Sequence, residues 1–161
     1  MSTDTSDNAL QQVASEVGQA LLAKSWMLAT AESCTGGWVA KTLTDVTGSS
    51  AWFERGFVTY TNIAKQEMLG VDGKIIDNHG AVSELTVREM ARGALQNSHS
   101  HIALAITGIA GPGGGSETKP VGLVWFAWAL RESDDIHCEE HIFAGDREAV
   151  RRQAVVTALE G

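Results

Sequence analysis

Apolar positions recur along this chain in two spacings, and the alternation between them predicts the elements. From Asn8 to Lys24, Leu10, Val13, Ala14, Val17, Leu21 and Leu22 follow at intervals of three and four, the signature of a helix with one buried stripe. Met27 to Ala31 is a short apolar run, a strand, which leads into the polar turn Glu32-Ser33-Cys34-Thr35-Gly36-Gly37. Trp38, Val39, Leu43 and Val46 return to helical spacing up to Gly48. Phe57 to Tyr60 reads as a second strand, Ile63 to Leu69 as a short helix, and residues 72–82 as a loop. Ser83 caps a helix with Val87, Met90, Ala91, Ala94 and Leu95 on one face.

The second half continues the alternation. His101 to Ile106 is almost continuously apolar, as expected of a strand covered on both faces. It runs into Thr107-Gly108-Ile109-Ala110-Gly111-Pro112-Gly113-Gly114-Gly115-Ser116, which suits neither helix nor strand. Val121–Leu130 and Ile136–Phe143 predict a hairpin over Arg131–Asp135, and Asp146 caps a last helix carrying Val150, Ala154, Val155, Ala158 and Leu159. Helices and strands in this order indicate one α/β domain, a three-layer α/β/α sandwich with a mixed central sheet. It spans residues 9–161 behind a flexible N-terminus at 1–8.

Composition narrows the function classes. At 161 residues the chain is long enough for a core that folds without disulfides or a structural metal. Its net charge of −8 opposes sequence-independent nucleic-acid binding, which needs a basic face, and a polybasic membrane anchor. Cys34 and Cys138 are too few and too far apart for a zinc site, and nothing at the N-terminus resembles a signal peptide. The longest apolar run is about half a bilayer span. The expectation is a reduced, cytoplasmic protein without membrane contact. An edge strand and tryptophans outside the core would suit a homodimer.

Several segments could carry chemistry. Ser33 follows a buried strand and precedes a helix, where backbone N–H groups and the helix dipole favour developing negative charge, although GxSxG itself is absent. The alternative reading is an ordinary helix cap. Tyr60 and Lys65, at a strand end and the following helix, fall near the edge where open α/β sheets place ligands. A lysine acts as base only when desolvation or a nearby cation keeps it neutral; otherwise it is a solvated surface residue. The second glycine cluster matches neither the P-loop nor the dinucleotide fingerprint and reads equally as an anion nest or a surface loop. In His137-Cys138-Glu139-Glu140-His141, a strand would put 137, 139 and 141 on one face and Cys138 on the other, a half-exposed edge more than a metal site. Cys34 is a candidate thiol nucleophile or a small buried side chain.

Ala31-Glu32-Ser33-Cys34-Thr35-Gly36-Gly37, Gly48 through Tyr60, His79-Gly80-Ala81-Val82-Ser83, and Thr107 to Pro112 with Lys119-Pro120-Val121-Gly122 resemble the CinA C-terminal domain family, over about residues 9–159. The resemblance implies hydrolysis of the carboxamide of nicotinamide mononucleotide to nicotinic acid mononucleotide and ammonia, with no metal or cofactor. By position it implies Ser33 as nucleophile, Lys65 as base with Tyr60 alongside, Thr107 and Gly108 lining the site and helping to hold the oxyanion, and Thr35 and Gly36 among the substrate-binding residues. Arg147 would meet the substrate phosphate, with Arg55 and Lys119 as further sources of positive field. The alternatives are a non-catalytic nucleotide-binding or adaptor domain on the same pocket, and a thiol amidase using Cys34. Seven of the 17 glycines (Gly36, Gly37, Gly108, Gly111, Gly113, Gly114 and Gly115) fall in the two site loops, which suggests close backbone approach to a substrate.

Overall fold

A computed structural model describes residues 4–161. The elements are α1 (Asp7–Lys24), β1 (Leu28–Glu32), α2 (Trp38–Thr44), a 3-10 turn (Ser49–Ala51), β2 (Phe53–Val58), α3 (Asn62–Leu69), α4 (Gly73–His79), α5 (Glu84–Gln96), β3 (Ile102–Gly108), β4 (Leu123–Leu130), β5 (Ile136–Ile142) and α6 (Arg147–Glu160). They build one mixed sheet in the order β2-β1-β3-β4-β5. β1 pairs parallel with β2 and with β3, whereas β3–β4 and β4–β5 are antiparallel. The expected three-layer α/β/α arrangement follows from two cores. One packs α1, α2 and α6 on one sheet face through Leu10, Val39, Leu43, Phe126 and Val155. The other packs α3 and α5 on the opposite face through Leu69, Val87, Met90 and Ala94.

The pleat decides which side chain meets which layer. Along β1, Leu28 belongs to the α1/α2/α6 core, while Ala29 and Ala31 belong to the α3/α5 core. The alternation of the pleat then gives Glu32 to the α2 face and Ser33, just past the strand, to the α3 face. The chain leaves β1 toward β2 on one side and returns to β3 on the other. Between β1 and β3 the order reverses, and this is the crevice where open α/β sheets receive ligands.

Helix signals in the sequence hold up well. Ser83 accepts from Thr86 N–H and Asp146 from Ala149 N–H, and all five apolar residues expected on each of α5 and α6 are buried. Burying side chains such as Val87, Met90 and Leu95 stabilises by roughly 1.5–3 kcal/mol each. The differences have local causes. Residues 73–79 form α4 instead of a loop: Asp72 caps it, but it is under two turns long and buries only Ile76, too little for an apolar period. β2 begins at Phe53 and stops at Val58, short of Tyr60, because it is a half-exposed edge without a continuous apolar run. α2 ends at Thr44, ahead of the 3-10 turn. Leu22 is exposed, not part of the α1 stripe. Asp7 and Asn8 already belong to α1, capped by Ser6; residues 1–3 of the expected flexible stretch lie outside the described residues.

Among the described residues no helix is long and apolar enough to cross a membrane, and both cysteines are free. On β5, His137 and His141 flank the Glu139 carboxylate at 3.0 and 3.3 Å on the expected shared face. Cys138 turns to the α5 core.

Candidate active site

Two parallel strands and one helix bring the site together. Ser33 leaves the end of β1, and its N–H donates to Ile106 O on β3 (3.1 Å), so the nucleophile candidate is fixed to the neighbouring strand. Thr59, just past β2, donates its N–H to Glu32 O (2.8 Å) on the other side. Thr61 caps α3, and the buried stripe of that helix is Lys65 and Leu69. Lys65 therefore points inward, 1 % exposed, with Nζ 3.0 Å from Ser33 Oγ. The same nitrogen donates to Thr59 O at 3.1 Å and Tyr60 O at 3.3 Å.

This environment favours the neutral amine. Burial lowers the Lys65 pKa from its ordinary value, and its bonding partners include no carboxylate. A neutral amine has two N–H donors and one lone pair. The two carbonyls take the donors, which leaves the lone pair for the Ser33 hydroxyl.

The cleft around this pair has a volume of about 280 Å³. Tyr60, Asn62, Ala81, Val82 and the loop from Thr107 to Gly114 form its walls, and Arg147 closes one end. Thr107 Oγ1 donates to Ala81 O (2.8 Å), tying the segment after α4 to β3. Arg147 donates to Gly111 O (2.8 Å) and to the Tyr60 hydroxyl (2.9 Å). Arg147 supplies the fixed positive charge of the lining, and no acid or histidine is among the lining residues. A molecule of net charge −8 thus presents a locally positive cleft.

Not every expected residue arrives there. The Thr35 side chain turns away and donates to Glu32 (2.6 Å), because it lies on the α2 side of the turn. Gly36 lines a separate depression with Trp38, Lys41 and Arg151. Arg55 pairs with Glu54 and Asn97 O, and Lys119 holds His79 O; neither lines the cleft. Tyr60 reaches Lys65 through its carbonyl, while its hydroxyl serves Arg147. Nor is the start of α2 free to receive an anion, since Glu32 already accepts from Val39 N (2.8 Å) and Ala40 N (3.0 Å). The turn's own Thr35 N–H donates to no protein acceptor among the described residues. Cys34 is a poor nucleophile: it is 5 % exposed, and burial pushes its thiol up to about 12.

Packing within the protein accounts for two of the site glycines, whereas a Cβ on Gly113, in the cleft wall, would meet nothing within 4 Å. A Cβ on Gly108 would meet Val124 Cγ2 at 2.7 Å, and one on Gly115 would meet Val121 Cγ2 at 2.8 Å. Gly37 has φ +100 and allows the turn to enter α2. Two residues escaped the sequence reading. Glu32 could have been found as a lone carboxylate closing an apolar run. Arg151 gave no signal, being one of three arginines on an amphipathic helix.

A model of the CinA C-terminal domain matches residues 10–161. The nicotinamide-nucleotide amidohydrolase PncC of Escherichia coli (strain K12) is 58 % identical over 154 residues, covering 96 % of this chain and 93 % of that protein. The PncC of Pseudomonas putida is 48 % identical over 149 residues, 92 % of each. The crystal structure of competence/damage inducible protein CihA from Agrobacterium tumefaciens superimposes with a TM-score of 0.91 at 46 % identity, over 94 % of this chain and 92 % of that one. With cores, sheet order and crevice as described, the chain belongs to the CinA C-terminal domain family.

Proposed function

We propose that this protein is an amidohydrolase that converts nicotinamide mononucleotide to nicotinic acid mononucleotide and ammonia through a serine–lysine acyl-enzyme. Relatives 48–58 % identical over nearly their whole length bear the name of that activity, which supports the reaction. The observation that carries the mechanism is the 3.0 Å approach of a buried Lys65 Nζ to Ser33 Oγ.

An amide carbon is a weak electrophile, so the hydroxyl must be activated and the oxyanion held. Lys65 accepts the Ser33 proton as Oγ bonds to the carboxamide carbon. The oxyanion is received by backbone N–H groups of the Cys34–Thr35 turn, with Thr107 and Gly108 opposite. The C–N bond then breaks as Lys65 returns the proton to the departing nitrogen, giving ammonia and an acyl ester on Ser33. Water attacks that ester with Lys65 again as base, and Ser33 Oγ leaves as the hydroxyl. Arg147, oriented by Gly111 O and the Tyr60 hydroxyl, binds the phosphate. No step requires a metal or cofactor.

The test is ammonia release from nicotinamide mononucleotide by the wild type and Ser33→Ala, with and without a chelator. Turnover that survives the chelator and vanishes in Ser33→Ala is expected. Binding without ammonia production by the wild type would favour the non-catalytic nucleotide-binding domain instead.

A further inference from the structure

Arg151 lies on the far side of the nucleophile turn, in the depression beside Trp38, and is absent from the cleft lining. Its Nε donates to Cys34 O at 3.0 Å and its Nη2 to Thr35 O at 3.3 Å. The guanidinium carbon sits 5.4 Å from the centre of the Trp38 ring, a cation–π contact that limits its movement. No carboxylate pairs with Arg151 among the described residues. The planar fork of this arginine is therefore used on two consecutive main-chain carbonyls of the turn that carries Ser33.

The consequence follows from peptide geometry. In a trans peptide, C=O and N–H point in opposite directions. By drawing Cys34 O toward α6, Arg151 turns the Thr35 N–H the other way, off the α6 side. That N–H meets no protein acceptor among the described residues, although Thr35 is wholly buried. Drawing Thr35 O the same way directs the Gly36 N–H inward, where it donates to Ser33 O at 3.0 Å and closes the turn. We infer that Arg151 is a positioning residue, which sets the Cys34–Thr35 peptide so that its N–H receives the oxyanion formed at Ser33. A lysine could not replace it, because a point charge does not hold two carbonyls in fixed directions.

The inference rests on the amidohydrolase reading, and the experiment separates the two. Ammonia release gives kcat and KM for wild type, Arg151→Lys and Arg151→Ala. Arg152→Ala is the control: Arg152 also stacks on Trp38, at 5.0 Å, but bonds to Thr5 O and Asp7 and not to the turn. Misdirecting one oxyanion donor should lower kcat by at least about tenfold in both Arg151 variants, since outright removal of such a donor typically costs 10²–10³. KM should stay within about twofold and Arg152→Ala should match wild type, the pattern of an interaction made only in the transition state. A second readout is the rate at which a fluorophosphonate modifies Ser33, in which Oγ bonds to phosphorus and fluoride leaves. This rate should fall by a similar factor in the Arg151 variants, with thermal unfolding midpoints close to wild type. An unchanged kcat in Arg151→Ala, or a loss confined to KM, overturns the inference and leaves the amidohydrolase standing. If the wild type releases no ammonia, the amidohydrolase reading fails, and the fluorophosphonate rates alone decide the role of Arg151.

Discussion

Among the described residues, Glu32 and Lys65 are the carboxyl and amine side chains that the fold buries completely, each 1 % exposed, and they do not pair with each other. The pleat of β1 sends Glu32 to the α2 face and Ser33 to the face where Lys65 waits. Glu32 neutralises its cost of burial on three donors, Thr35 Oγ1, Val39 N and Ala40 N. A carboxylate bonded to Lys65 would have held the ammonium charged; separating the two keeps the amine available as a base. Glu32→Gln replaces one acceptor oxygen with an NH₂ facing a donor. Chemical denaturation should register a loss of about 1–3 kcal/mol, the cost of an unmet buried group. A change under about 0.5 kcal/mol would show that Glu32 does not anchor the turn.

The Lys65 environment fixes the direction of a pH dependence. Burial lowers its pKa from the ordinary 10.5, and the proposed mechanism needs the neutral form. Activity should be low at acid pH and rise through the lowered value, so that the ascending limb of kcat/KM lies below pH 10.5. Stability has the same sign. Between the lowered value and the ordinary one, the unfolded chain holds a proton that the native state does not, so stability rises with pH. Lys65→Met should remove both the activity and that slope, as pH–rate profiles and denaturation at two or three pH values would reveal. An ascending limb unchanged in Lys65→Arg would assign it to another group.

Ser33 and Cys34 are adjacent nucleophile candidates with opposite surroundings. Ser33 Oγ meets an amine, whereas the Cys34 thiol is packed in the α1/α2/α6 core with its pKa pushed up to about 12. Cys34→Ala should therefore keep kcat within about threefold while losing some core stability, and Ser33→Ala should lose turnover by several orders of magnitude. Rapid inactivation by iodoacetamide, prevented in Cys34→Ala, would restore the thiol mechanism.

The contrast between these neighbours also explains what the sequence could and could not disclose. Period and capping reveal α1, α5 and α6, because each buries a stripe long enough to repeat; α4 buries Ile76 alone and leaves no period. Ser33 and Tyr60 fall at strand ends, and Lys65 on the helix that follows, which sequence alone locates at one edge of the sheet. Whether Lys65 faces solvent or the serine depends on how α3 is rotated against α5, a tertiary property. The same holds for Thr35, whose hydroxyl is claimed by Glu32, and for Arg151, 116 residues away from the carbonyl it holds. Local pattern specifies which residues reach the edge, and packing decides which of them face the cleft.

Arg147 and Tyr60 both line the cleft and are joined by a hydrogen bond. Arg147 has no carboxylate partner there; Gly111 O and the Tyr60 hydroxyl orient it. A charge-assisted bond to a phosphate is worth about 1.5–3 kcal/mol. Arg147→Ala should then raise KM for nicotinamide mononucleotide by roughly tenfold or more, and Tyr60→Phe by less. Neither should change turnover of nicotinamide riboside, which has no phosphate. Comparing the two substrates kinetically isolates the phosphate contact; equal losses on both would place Arg147 at the reacting end of the cleft.

Gly93 sets the distance between α5 and the helix that bears Lys65. A Cβ at this position would lie 1.9 Å from Leu69 O and 2.8 Å from Leu69 C, both backbone atoms that cannot rotate aside. Leu69 is the residue one turn beyond Lys65 on the same buried stripe. A glycine in mid-helix forgoes about 1 kcal/mol of propensity relative to alanine, so Gly93→Ala would be stabilising if packing were indifferent to it. The contact reverses that sign: α3 must retreat from α5, at a net expense of about 1–3 kcal/mol. Its retreat draws Nζ of Lys65 away from Ser33, and a 1 Å displacement of a reacting group lowers rates by about 10². Gly93→Ala should therefore lose both stability and kcat although it lies outside the cleft, whereas a folded variant with full activity would show that α3 can move without carrying the lysine along.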